Sequence, residues 1–148
     1  MLKDKMTLVI NSCDKFSDLW DEHVRILNEN WSDREVETLL VTDRPTDRKL
    51  ERVRIFSAGE GKEYPQRMAA VLPEIRTEYV LITLDDYFPI NKIYNDRLER
   101  LIGIMDAEGI DYLRLFSDPN SHKRFKDYKG LYEIPLDVNY AVNLYQGI

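Results

Sequence analysis

Short apolar runs alternate along this chain with longer stretches of helical periodicity, and that alternation constrains the fold more than any other feature. A strand covered on both faces reads as a continuous apolar run, and the helices that cover it read as stripes. Residues 7–11 (TLVIN), 36–42 (VETLLVT), 53–56 and 79–84 (YVLITL) are predicted strands. Residues 16–31 carry Leu19, Trp20, His23, Val24, Leu27 and Trp31 at three- and four-residue spacing. Asp21, Glu22, Arg25 and Asn28 fall mostly on the other side of that predicted helix. Ser12 or Asp14 is a candidate for its cap. Further helices are predicted over 64–75 and 91–108, with Gly109 just beyond the second, where a helix stops. Residues 112–116, 131–134 and 140–145 read as later strands. Between the first two lies a polar stretch, 117–129, long enough to be a lid or a mobile loop. The expected fold is three-layer α/β/α with a mostly parallel sheet. At 148 residues, with no internal repeat and no linker, residues 1–148 are expected to form a single domain.

Composition excludes several functions. Hydrophobic residues make up 43% of the chain, enough to fill one core. A net charge of −6 leaves no basic footprint, so no nucleic-acid partner is expected. An acidic protein still binds an anionic nucleotide when a metal ion screens the phosphates. Cys13 is the only cysteine, so neither an internal disulfide nor a multi-cysteine zinc site can form. The brief apolar run after Met6 is too short for a signal peptide or a transmembrane helix. A cytoplasmic location is therefore expected, with peripheral membrane association through other components left open.

The sharpest chemical signal is Asp85-Asp86, directly after the strongest predicted strand. Open α/β sheets bind ligands at the carboxyl ends of their strands. Carboxylate oxygens suit Mg²⁺ or Mn²⁺, ions that share their coordination with substrate phosphates. Adjacent side chains on an extended backbone point to opposite faces, so both reach one ion only if the strand ends there. Pro89 is consistent with such an ending. The plainer alternative is that one aspartate caps a turn and the other is solvated. The same edge should gather Asn11, Ser12, Cys13 and Asp14 after the first strand and Thr42-Asp43 after the second. Those small polar groups could hydrogen-bond a base and a ribose.

Other residues read more simply. His23 lies on an apolar helix face and is expected to be a packed, hydrogen-bonded histidine. Trp20 and Trp31 are expected in the core, Cys13 as a small buried residue. His122, beside Lys123 and Arg124, reads as solvated surface unless its loop folds over a diphosphate. No phosphate-cradling glycine loop or dinucleotide fingerprint is present, which argues against ATPase and dehydrogenase readings.

Asn11-Ser12-Cys13-Asp14-Lys15-Phe16, Asp18-Leu19-Trp20, Trp31 and Thr42-Asp43 resemble the opening of a group of bacterial GT-A-like glycosyltransferases of capsule and surface-polysaccharide gene clusters. Thr77-Glu78-Tyr79-Val80-Leu81 leading to Leu84-Asp85-Asp86-Tyr87-Phe88 is similar to the group's most recognisable motif. Leu113-Arg114-Leu115 and Val142-Asn143-Leu144-Tyr145-Gln146 also match its pattern. The resemblance implies a GT-A fold and a nucleotide-diphospho-sugar donor, with Asp85 and Asp86 at the divalent-metal site. Asn11, Ser12, Asp14, Asp43 and Asp85 would lie around the nucleotide-sugar. A saccharide acceptor hydroxyl would attack the anomeric carbon, assisted by a carboxylate base, while the metal stabilises the departing nucleoside diphosphate. Related chains continue into a helical acceptor part that is expected to be absent here, so no residue is assigned as the base. The alternative function is a non-catalytic nucleotide-sugar-binding or scaffold domain of a polysaccharide-assembly system.

Overall fold

The computed structural model describes residues 1–115 and 122–134. After a one-turn helix α1 (Leu2–Lys5), every residue of strand β1 (Met6–Asn11) is buried, as a strand with helices on both sides requires. Helix α2 (Trp20–Asn30) leads to β2 (Thr38–Thr42), also buried throughout, and then to β3 (Arg54–Ser57). Helix α3 (Tyr64–Val71) returns the chain to β4 (Tyr79–Leu84), and α4 (Asn95–Glu108) follows. The four strands form one sheet in the order β3-β2-β1-β4, with every pair parallel. This is the α/β architecture expected from the alternation of runs and stripes.

The strand order explains the layering. The chain moves from β1 outward through β2 to β3, then returns to pair β4 on the other side of β1. Because crossovers between parallel strands are right-handed, reversing the direction of travel moves the connecting helix to the opposite face. Accordingly Trp20, Leu27, Leu98, Ile102 and Met105 of α2 and α4 pack with Leu8, Ile10, Leu40 and Leu81. Met68 and Val71 of α3 pack with Val9, Leu39 and Val41 on the other face. Alternate residues of β1 and β2 thus divide between two cores, following the two-residue period of a strand.

Several expected boundaries moved, each for a local reason. The helix expected over 16–31 begins as a 3₁₀ segment, Asp14–Leu19, and becomes α-helical only at Trp20. Phe16 leaves helical geometry at φ −107°, and Ser17 and Asp18 are residues that favour local turns. Neither Ser12 nor Asp14 caps a helix: Cys13 and Leu19 hold the N-cap positions, and neither side chain makes a capping bond. The helix expected over 64–75 ends at Val71 and continues as a 3₁₀ turn, Leu72–Glu74, because Pro73 has no N–H with which to continue the α-helical hydrogen bonding. Its start is secured by a capping box between Glu63 and Gln66. The helix expected from residue 91 starts at Asn95; the Ile93 N–H instead donates to Asn30 O at 2.8 Å. Gly109 ends that helix in the left-handed region, φ 63°, as expected.

The later strand expectations did not hold among the described residues. Among residues 112–115 only Arg114 is bridged and no strand forms, while 131–134 pair locally. Arg124 and Tyr132 form an isolated antiparallel bridge, with Phe125 N donating to Leu131 O and Glu133 N to Lys123 O, both at 2.9 Å. Gly130, at φ 85°, lies in the turn between them. A nearby partner satisfies this backbone, so it has no need of a place in the sheet. Residue 116 and the strand expected over 140–145 lie outside the described residues. Among the described residues no helix is long and apolar enough to cross a membrane.

Candidate functional site

The strand order reverses between β1 and β4, and the segments leaving these two strands both lead to helices on one face of the sheet, α2 and α4. Asn11 and Leu84 are register partners at the carboxyl ends of these strands. The next residues are Ser12 and Asp85, joined to the sheet by Ser12 N donating to Val41 O at 2.8 Å and Asp85 N to Asn11 O at 3.3 Å. Strand β4 ends at Leu84, so Asp85 and Asp86 sit in a turn, closed by Tyr87 N donating to Leu84 O at 3.2 Å.

The turn separates the two aspartates sharply. Asp85 is 7% exposed, whereas Asp86 is exposed to solvent. The Ser12 hydroxyl donates to Asp85 Oδ2, and the Trp20 indole N–H donates to Ser12 Oγ at 2.7 Å. His23 Nδ1 lies 2.8 Å from the Asp85 carbonyl oxygen. A carbonyl only accepts, so Nδ1 carries the proton and the imidazole is fixed in one tautomer. Burial pushes the Asp85 carboxyl up from its ordinary range, the Ser12 hydrogen bond opposes that, and the charge of Asp86 adds to it. The backbone N–H groups of Asp85 and Asp86 also favour its ionised form. Burial likewise pushes His23 below its usual value, despite the nearby Asp85 carbonyl and the charges of Asp85 and Asp86.

A second group forms beside the first, where β2 ends. Asp43 Oδ1 accepts the backbone N–H of Asp14 at 2.7 Å, tying the loop after β1 to the loop after β2. Burial alone would raise the Asp43 carboxyl. The N–H groups of Asp14 and Asp43, the Thr42 hydroxyl and the charge of Arg67 together hold it below its ordinary value. Asp14 itself pairs loosely with Arg44 at 3.7 Å, and Arg44 also meets Glu60 at 3.1 Å. Arg67 of α3 reaches over the sheet end, its Nε donating to Asn11 Oδ1 at 3.4 Å.

The six residues expected around the nucleotide-sugar and the metal therefore lie on one edge: Asn11, Ser12, Asp14, Asp43, Asp85 and Asp86. Two features were not foreseen. Arg67 supplies the edge with a cation; its position in the first turn of a helix gives no sign that it faces a strand end. Trp20 was expected in the core and is fully buried, yet its N–H also holds the serine that holds the aspartate. His23 is packed and hydrogen-bonded, as expected. His122 is exposed, and the loop that carries it is anchored elsewhere. Tyr128 Oη donates to Glu108 Oε1 at 2.7 Å, and Lys126 pairs with the same carboxylate, at the end of α4. That end sits beside the amino ends of β1 and β4, where Asp106 binds Lys5 and Tyr79.

Among the described residues no group of three or more His, Cys, Asp or Glu side chains is arranged to hold a metal ion by itself. Comparisons with protein-family models, with curated proteins and with solved structures gave no match.

Proposed function

We propose that this chain binds a nucleotide-diphospho-sugar at the carboxyl edge of its sheet, as the donor-binding part of a GT-A-like glycosyltransferase. The observation that supports this reading is the gathering of Asn11, Ser12, Asp43 and the Asp85-Asp86 turn at the carboxyl ends of the adjacent strands β2, β1 and β4. A divalent ion suits the donor set in a restricted way. Asp85 spends its carboxylate on Ser12 and on backbone N–H groups, which leaves Asp86 as the accessible oxygen ligand. One carboxylate is enough for Mg²⁺ or Mn²⁺ when diphosphate oxygens and water complete the shell. Such an ion would screen the diphosphate and favour its departure. Asp85 acts as a positioning residue, holding the turn that presents Asp86. Asp43, Asn11 and Arg67 stand where hydrogen bonds to the base and ribose would be made, with the saccharide acceptor approaching from the solvent side.

A second reading is a binding or scaffold domain without turnover. The buried, fully engaged state of Asp85 favours it, because that carboxylate is not free to act as a base. Thermal melting with UDP or GDP, with and without Mn²⁺, tests the site. A metal-dependent rise of roughly 5 °C is expected at saturating nucleotide, and it is lost in Asp86→Ala. Absence of that rise in the intact protein, or its persistence in the variant, sinks the metal-diphosphate reading. Donor hydrolysis or sugar transfer then separates an enzyme from a binding domain.

A further inference from the structure

The opposite edge of the sheet carries a second cluster that the donor site does not use. Arg34 precedes β2, Arg52 precedes β3, and Arg54 begins β3, so all three stand at the amino ends of these strands. They line a groove of about 340 Å³ together with Glu35, Glu37 and Thr38. This groove is separated from the carboxyl edge by the length of β2, roughly 17 Å.

The carboxylates of the groove are already committed. Glu35 pairs with Lys3 at 2.8 Å, and Glu37 with Arg54 at 2.8 Å. Arg34 and Arg52 have only neutral partners. Arg34 Nη2 donates to Asn28 Oδ1 at 2.9 Å and to Arg52 O at 3.3 Å. Arg52 donates to Ser32 O at 3.0 Å and to Arg34 O. Arg34 is 3% exposed, and its Nη1 is buried with no hydrogen-bond partner. Its guanidinium lies 6.0 Å from the centroid of the Trp31 ring, which offsets part of the cost of burial. Burial and then the charge of Arg52 push Arg34 down to about 10, with Glu51 opposing from beyond ion-pair range. Two guanidiniums held together, one of them desolvated, repel until an anion joins them.

We propose that Arg34 and Arg52 form a binding site for a phosphate-type tetrahedral oxyanion in this groove, independent of the donor site. Planar guanidiniums bind such oxyanions through paired N–H donors, which spherical or strongly hydrated cations do not match. Carried on a small molecule, the same group would bind at the amino edge without obstructing the carboxyl edge.

Inorganic phosphate is the probe, compared with acetate and chloride at matched ionic strength and pH. The intact protein should melt roughly 3 °C higher in phosphate than in either control. Arg52→Gly removes an exposed guanidinium and suits the left-handed backbone there, φ 58°. Each protein is compared with itself in the three buffers, so a lower baseline in the variant does not matter. Loss of the phosphate increment in Arg52→Gly and its retention in Arg67→Gln supports the site. An equal increment in Arg52→Gly, or its loss in Arg67→Gln instead, overturns it, the latter by moving the anion to the carboxyl edge. Acetate matching phosphate also overturns it, since the response would not be specific to a tetrahedral anion.

Discussion

The two ends of the sheet deal with buried charge in opposite ways. At the carboxyl edge, Asp85 is buried but surrounded by donors: the Ser12 hydroxyl and two backbone N–H groups. Trp20 and His23 brace the same turn through Ser12 and the Asp85 carbonyl. At the amino edge, Arg34 is equally buried but keeps a nitrogen without an acceptor, beside a second arginine. A buried ion surrounded by hydrogen bonds is costly to disturb, whereas one left partly unsatisfied costs little to remove. The carboxyl edge is thus an internally completed scaffold presenting one free carboxylate, and the amino edge is a positive groove that a ligand would complete.

Substitutions test this contrast, beginning with the largest effect. Trp20→Ala empties a fully buried indole and removes the donor to Ser12, so it should cost about 3–5 kcal/mol in urea unfolding. Trp20→Phe keeps most of the volume and should cost less than half as much, isolating the N–H. Ser12→Ala leaves the Asp85 carboxylate and the Trp20 N–H short of a partner in a buried place, and should cost about 1–3 kcal/mol. Arg34→Met replaces a desolvated charge with an apolar chain and should stay within about 1 kcal/mol of the parent. A loss above about 3 kcal/mol there would erase the contrast between the edges. Smallest in stability is Asp86→Asn, at an exposed position, expected within about 0.5 kcal/mol while the Mn²⁺-dependent response to nucleotide disappears.

The pH dependence has a sign that can be worked out for each group. His23 holds its proton less tightly in the folded protein, since burial lowers it from 6.5. Its contribution to stability is complete above 6.5 and is lost as pH falls through the lowered folded value. Asp85 is shifted upward, so the folded state binds its proton more tightly than the unfolded chain does. Its contribution is complete below the ordinary 3.8 and declines as pH rises through the raised value. Denaturant titrations at successive pH values should show the slope below pH 6.5 flatten in His23→Gln; an unchanged slope would assign it to other groups.

Much of the carboxyl edge was legible because parallel α/β topology brings the ends of strands together whatever their order in the sheet. Once residues 7–11 and 79–84 are read as buried parallel strands, Ser12 and Asp85 must emerge on the same side. The different fates of the two aspartates were not legible. Adjacent identical residues carry no sign of which one turns inward, and that depends on Ser12 and Trp20 being in place to receive Asp85. The local pairing of residues 131–134, in place of the strand expected there, has a related cause. Apolar residues in 131–134 show the composition of a strand, but the turn at Gly130 provides a local partner first.

The sequence alone determined the alternation of buried runs and covering helices, the stop at Gly109 and the acidic turn after β4, because burial period and turn chemistry are local properties. Tertiary structure decided that β4 pairs with β1 rather than with β3, and so which strand ends meet at the carboxyl edge. It also decided that Arg67 reaches that edge, that Asp85 is spent on holding it together, and that Arg34 and Arg52 meet at the far end. These depend on packing between distant segments, where long-range partners compete for the same buried space, and no local pattern records which of them prevails.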